Sequence, residues 1–292
     1  MTTYPIALTD GLHLLGNDDS NLHFIRGARA TALVEVGISG VVDAVIEQLH
    51  GLGAAPDYLV VTHPHADHVT GLAGLQQRFP AATVVAAPAA AGFLAHPRAV
   101  EALLADDRFM TTRLAEWGWQ PGRPPVSRPP SLAGARTVVD GETIDLGGRT
   151  LVFLETGGHS PGNLAVHVPE LETVLASDSL GFRYRDGSCT PLFFTGLEPF
   201  LATLDRLESL APAILGIGHH GPFTGGAVAG AFAAARRAAR ELQGRVLAHR
   251  GSDEDLADAL FRETYREELT LYSQRNIRGC MGLLIRRVRE AC

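Results

Sequence analysis

Apolar positions along this chain fall into short runs in its first two thirds and into helical stripes towards its end. Residues 22–26 and 31–36 read as two paired strands, and 41–52 repeats its apolar residues at helical spacing. The run PDYLVV fits a buried strand over 57–61 that ends where a histidine cluster begins at Thr62. A helix over 69–79 and a strand over 82–86 follow. Between about 90 and 136 this alternation breaks: helical segments lead into the proline-rich QPGRPPVSRPP, which reads as an insertion or flap on the core. Strands resume at 137–139, 151–155, 164–168 and 173–176, then a helix at 200–210 and a strand at 213–217. From about 227 the pattern is helical: an Ala- and Arg-rich stretch over 227–243, a segment at 253–261 capped by Ser252, and an amphipathic stretch over 281–289. The order predicts a layered α/β domain over 1–245 and a C-terminal helical cap over 246–292.

Composition narrows the reading. With 46% apolar and 20% charged residues, the 292-residue chain can fill one large core. A net charge of −7 speaks against a nucleic-acid partner. All 25 basic residues are arginine, so lysine Schiff-base or lysine general-base chemistry is excluded. The three cysteines, Cys189, Cys280 and Cys292, are too far apart for a metal clip and too few for a disulfide framework. No basic-then-apolar leader and no 18-residue apolar span is visible, so a cytoplasmic setting without membrane contact is expected.

The chemistry lies at the strand ends. THPHADHVTGL places His63, His65, Asp67 and His68 directly after a strand. Alternate residues of an extended segment point the same way, so His63 and His65 can share one ion, while Asp67 and His68, at the turn into a helix, can face a neighbouring one. His159 follows the strand LVFLE within TGGHSPGN, Asp178 follows TVLA within LASDSL, and His219 and His220 follow AILGI within GIGHHGP. A lone histidine or aspartate at any of these places would read as structural. Four strand ends with residues of this kind read as a site, because open α/β sheets build sites there.

HxHxDH, GHSPGN, SDS and GHHGP, in this order over roughly residues 10–225, resemble the metallo-β-lactamase superfamily. The resemblance implies a four-layer αββα sandwich with two divalent metal ions at one edge of its sheets. Carried over, His63, His65 and His159 hold the first ion, Asp67, His68 and a terminal histidine hold the second, and Asp178 bridges them. Aligning on the Gly-Pro that follows selects His220 as the terminal ligand, with His219 the alternative. All donors are nitrogen or oxygen, so zinc is the default and iron or manganese would be tolerated. The implied mechanism is hydrolysis: the metals generate hydroxide that attacks an acyl carbonyl, with Asp67 orienting the nucleophile and Asp178 bridging the ions.

Aspartate at 178, where the classical β-lactamases have cysteine, points away from β-lactamase activity and towards the glyoxalase II, lactonase and thioesterase branches. The insertion, the helical tail and PLFFTGLEPFLATLDRLESL resemble the capped 2-aminobenzoylacetyl-coenzyme A thioesterase branch, which implies a small-molecule acyl thioester or ester as substrate. A homodimer is compatible with this. Phe182, Arg183, Tyr184, Phe193 and Phe194 are candidate substrate contacts, with ordinary core as the competing reading for two or three of the aromatic residues. Arg183 and Arg185 could meet a carboxylate or phosphate or simply face water. Arg275, Arg278, Arg286 and Arg287 are expected to face water, and the C-terminal helices to close over the metal entrance. Two rivals stand beside the thioesterase: a lactonase or glyoxalase II-like hydrolase, the latter disfavoured by Asn163 in place of the usual histidine, and a regulatory binding protein that retains its metal site.

Overall fold

Neighbouring residues of a strand face opposite sides of a sheet, and here both sides are apolar, so each sheet is covered on both faces. A computed structural model, describing residues 3–291, shows how this is met. A seven-stranded sheet runs in chain order through β1 (Ile6–Thr9), β2 (Leu12–Asn17), β3 (Ser20–Arg26), β4 (Thr31–Val34), β5 (Tyr58–Val60), β6 (Thr83–Ala86) and β7 (Arg136–Thr137). Pairing is antiparallel up to β4 and parallel from β4 to β7. A six-stranded sheet comprises β8 (Thr143–Asp145), β9 (Thr150–Glu155), β10 (Leu164–Val168), β11 (Thr173–Ser177), β14 (Ile214–Ile217) and β15 (Phe223–Thr224). A small ribbon pairs β12 (Phe182–Arg183) with β13 (Cys189–Thr190).

Three apolar layers hold the sandwich together. Between the sheets, Ile25, Val34, Val60 and Val85 meet Phe153, Leu164, Val166 and Leu175. On the outer face of the first sheet, Phe24, Leu33 and Leu59 pack under α1 (Val42–Gly51), α3 (Leu72–Arg78) and α5 (Pro97–Glu116). On the outer face of the second, Val174, Ala176 and Leu215 pack under α6 (Leu197–Ser209), α7 (Ala227–Ala248), α8 (Asp253–Thr264) and α9 (Gln274–Glu290). Phe24 and Ile25 are adjacent in sequence and belong to different layers, as strand alternation requires. Each such fully buried side chain contributes roughly 1.5–3 kcal/mol. The fold is the αββα sandwich that the motifs imply.

Details differ from the sequence reading where backbone contacts decide. The helix expected over 69–79 is broken: a short α2 (Ala66–Val69) precedes α3, and Gly71 lies between them, where a Cβ would sit 2.1 Å from the Val36 carbonyl oxygen. The insertion is helical over α4 (Pro88–Leu94) and α5, then has no regular structure over 117–135. It is tied down by Trp119 Nε1, which donates to the Gly40 carbonyl at 3.0 Å. Helix α7 continues through residues 245 and 246, so the tail begins at the turn after Ala248. Ser252 caps α8 as expected, its hydroxyl accepting from the Asp255 N–H at 3.1 Å. Cys292 lies outside the described residues. No helix among those residues is long and apolar enough to cross a membrane.

Candidate metal centre

Strand β5 ends at Val60, and the extended segment after it carries His63 and His65 to the sheet edge before α2 turns Asp67 and His68 the other way. His159 follows β9, Asp178 follows β11, and His219 follows β14. Three strands of the second sheet and one of the first thus deliver their polar ends to one place.

Two groups of donor atoms result. In the first, His159 Nε2 lies 3.2 Å from His63 Nε2 and 3.1 Å from His65 Nδ1. In the second, Asp67 Oδ2 lies 3.3 Å from both His68 Nε2 and His219 Nε2. Asp178 stands between them: Oδ2 is 3.4 Å from His68 Nε2 and 3.7 Å from His159 Nε2, and Oδ1 is 3.6 Å from His219 Nε2. Donors about 2.0–2.1 Å from a tetrahedral ion are about 3.3 Å apart, so these edges suit such an ion. Gly218 makes the approach possible, since a Cβ there would sit 2.6 Å from both Asp178 Oδ1 and His68 Cε1.

The rear nitrogens of the imidazoles fix which ring nitrogen faces the site. His159 Nδ1–H donates to the Leu192 carbonyl at 2.9 Å, and His219 Nδ1–H to the Asp19 carbonyl at 2.7 Å. His68 Nδ1–H donates to Glu35 Oε2 at 3.0 Å. The Thr62 hydroxyl donates to Glu35 Oε1 at 2.8 Å, which leaves its oxygen to accept from His63 Nδ1–H at 3.2 Å. Each of these four rings therefore turns its other nitrogen into the site, the orientation in which a histidine that gives up that proton can ligate a metal. Buried His68 Nε2 has no hydrogen-bond partner in the protein. The donor set fits metal ions.

Electrostatics agree with that fit. Burial, reinforced by the neighbouring imidazoles, holds the pKa of His63 well below its ordinary value and lowers His65 to about 3, so both rings stay neutral. Burial opposes ionisation of Asp67, but His68 and His219 outweigh it and keep this carboxylate charged. Asp178 is lowered in the same way, with His68 and His219 again outweighing burial.

The two candidate terminal histidines take different places. His219 joins the second group, whereas His220 takes a left-handed conformation at φ +53° and turns its ring away, with Nε2 3.8 Å from Asp19 Oδ1. Aligning on the preceding glycine, not the following Gly-Pro, finds the residue that faces the group. His219→Ala should therefore lose second-site metal and most turnover, with His220→Ala clearly milder. Metal content and rate measured on both variants check this ranking.

The five candidate substrate contacts divide. Phe194 is half-buried, with its ring 5.5 Å from that of His159 and 6.0 Å from that of His65. Phe182 is buried with its ring 5.7 Å from that of His219. Phe193 belongs to the outer core against Phe200, so it is packing. Tyr184 is also core: its hydroxyl donates to the Thr264 carbonyl at 2.6 Å. Arg183 lies over the Phe223 ring at 4.8 Å, and Arg185 stands between Asp18 and Glu268, each at 3.5 Å, so both have protein partners. Arg287 was expected to face water, yet its Nε donates to the Phe194 carbonyl at 2.7 Å and holds that loop. Arg278 pairs with Asp258 on the surface.

Sequence reasoning missed three residues. Glu35, only 2% exposed and strained at φ +77°, carries the His68 and Thr62 hydrogen bonds. A lone acid inside the apolar run ALVEVG was the available signal, because a carboxylate is not buried without partners. Phe93, on the insertion helix α4, brings its ring within 6.4 Å of His65. Tyr272, from the tail, donates its hydroxyl to Asp67 Oδ2 at 2.7 Å and lies 3.3 Å from His219 Nε2. Burial, then the charges of Asp67 and Asp178, push its pKa well above the ordinary value, so it remains a donor. No feature of LTLYSQ marked it.

Comparison with known proteins places this arrangement. The family description "Metallo-beta-lactamase superfamily" matches residues 15–219, and the chain belongs to that superfamily of metal-binding hydrolases. The chain is 28% identical over 194 residues to a hydroxyacylglutathione hydrolase of Ruegeria pomeroyi, covering 66% of this chain and 58% of that protein. It is 27% identical over 202 residues to the acyl-coenzyme A thioesterase MBLAC2 of Gallus gallus, covering 65% of this chain and 67% of that protein. Among solved structures, a metallo-beta-lactamase family protein of Thermus thermophilus superposes with a TM-score of 0.64 at 24% identity, over 98% of this chain and 95% of the other.

Proposed function

We propose that this protein is a dinuclear metal hydrolase that cleaves acyl thioesters. The observation that carries this reading is the convergence of seven donors in two adjoining groups with Asp178 facing both. His63, His65 and His159 would hold one ion, Asp67, His68 and His219 the other, and Asp178 would lie between. Zinc suits the mixed nitrogen and oxygen set, and iron or manganese would be tolerated. Two such ions lower the pKa of a water and polarise a carbonyl.

The chain's own residues supply the rest. Asp67 and Asp178 would bring two negative charges against two dications, leaving a net positive charge suited to a developing oxyanion. Asp67 would orient the attacking water and relay its proton onward. Glu35 and Thr62 fix the rings of His68 and His63, so that little reorganisation is needed during reaction. Phe93 and Phe194 flank the half-buried His65 and form an apolar wall for an acyl chain. The thioester preference is supported by the relatives named for an acyl-coenzyme A and for hydroxyacylglutathione, both of which carry an acyl group.

The test is a panel of acyl-coenzyme A thioesters and lactones given to the metal-replete protein. Free thiol should be released with kcat/KM on the order of 10⁴ M⁻¹s⁻¹ or more for a well-fitted acyl group. Ready lactone opening with no thiol released from any thioester would overturn the assignment.

A further inference from the structure

Tyr272 is remote in sequence from every residue of the metal centre and lies well beyond the matched family region of residues 15–219. It nevertheless reaches the second donor group from the opposite side of the molecule's chain order. The short turn Glu267–Leu271 delivers it, and that turn straddles two cores: Leu269 packs in the layer outside the second sheet and Leu271 in the layer outside the first. The ring of Tyr272 packs against both layers and stands 6.1 Å from that of Phe182. Its backbone is fixed as well. The Tyr272 N–H donates to the Leu269 carbonyl at 3.2 Å, and its own carbonyl accepts from the Tyr265 hydroxyl at 3.0 Å. One turn further on, Asn276 Nδ2 donates to Asp106 Oδ2 of the insertion helix at 2.8 Å, which fastens the tail across α5.

A phenylalanine would fill the same space. The hydroxyl is therefore the feature that needs an explanation, and it ends 2.7 Å from Asp67 Oδ2 and 3.3 Å from His219 Nε2. Asp67 is carried on the four-residue helix α2, which has no side-chain cap. Asp67 Oδ2 is also the atom that faces both His68 and His219.

We infer that Tyr272 is a positioning residue of the second metal site: its hydroxyl sets the orientation of the Asp67 carboxylate, so the C-terminal segment completes the site that the sandwich begins. This rests on the dinuclear reading proposed above and extends it by assigning the tail a part in metal binding. One consequence is that the second ion, and not the first, reports whether the tail is docked. The first group, His63, His65 and His159, makes no hydrogen bond to the tail among the described residues.

The experiment titrates the metal-free full-length protein with Co²⁺ and with Zn²⁺, following the cobalt absorption bands and the heat of binding, in wild type and in Tyr272→Phe. Loss of such a supporting hydrogen bond typically costs about 10- to 100-fold in metal affinity. The expected result is two binding steps in wild type, with Tyr272→Phe weakening the second by that factor and changing its cobalt spectrum while the first step is unchanged. Circular dichroism and thermal melting of the metal-free proteins establish that the variant folds. Two wild-type steps that are both unaltered in Tyr272→Phe would overturn the inference and leave the dinuclear reading standing. Both steps weakened equally would make Tyr272 a packing residue and overturn it as well. A single step in wild type would overturn both the inference and the dinuclear reading.

Discussion

Asp178→Asn should reduce hydrolysis by at least about a thousandfold and leave the protein with no more than one tightly held ion. The size follows from position. Asp178 faces both donor groups, with carboxylate oxygens 3.4 Å from His68 Nε2, 3.7 Å from His159 Nε2 and 3.6 Å from His219 Nε2. Asparagine keeps the shape but removes the charge and turns one acceptor into an N–H₂ group, which cannot ligate a cation in that orientation. With two dications bound, losing that negative charge would also restore the repulsion that a carboxylate between them would offset. The check is kcat/KM with metal content measured on the same sample. A variant that keeps two ions and more than a tenth of the activity would mean that Asp178 does not bridge.

Metal removal should be the other large effect, and it should appear in stability. Asp67, Asp178 and Glu35 are buried carboxylates within one small volume. Without ions, they rely on protons held by His68 and His219, whose pKa values rise under the pull of these acids in spite of burial. Ions that bind only the folded chain stabilise it by mass action, about 4.1 kcal/mol for one ion at a thousand times its dissociation constant. At roughly 2 °C per kcal/mol for a chain of this size, the melting temperature should rise by about 8 °C between chelated and zinc-replete protein. A melting temperature indifferent to millimolar zinc would contradict a site formed by the native fold.

Much of this candidate centre was legible because its donor residues sit beside patterns that fold locally. PDYLVV, LVFLE, TVLA and AILGI each read as a strand, and each ends within a few residues of His63, His159, Asp178 or His219. The layered α/β order was legible in the same runs, and the four-layer sandwich in what the motif resemblance implies. The misses are of a different kind. Aligning on the following Gly-Pro selects His220, whereas the left-handed turn that sets the two histidines apart depends on contacts with 18–21, such as the His220 N–H bond to the Asp18 carbonyl at 2.8 Å. Tyr184 and Phe193 read equally as pocket wall or core, because aromatic residues after Asp178 and aromatic residues of a core have the same composition. Tyr272 could not be read at all: its role depends on how a helical tail docks on a sheet edge more than two hundred residues earlier in the chain.

The most direct test of the account is anomalous diffraction from crystals of the zinc-loaded protein, recorded on both sides of the zinc absorption edge. The account predicts two peaks, one among His63, His65 and His159, the other among Asp67, His68 and His219, with Asp178 between them and His220 outside. A single peak, or a second peak that engages His220 instead of His219, would contradict it.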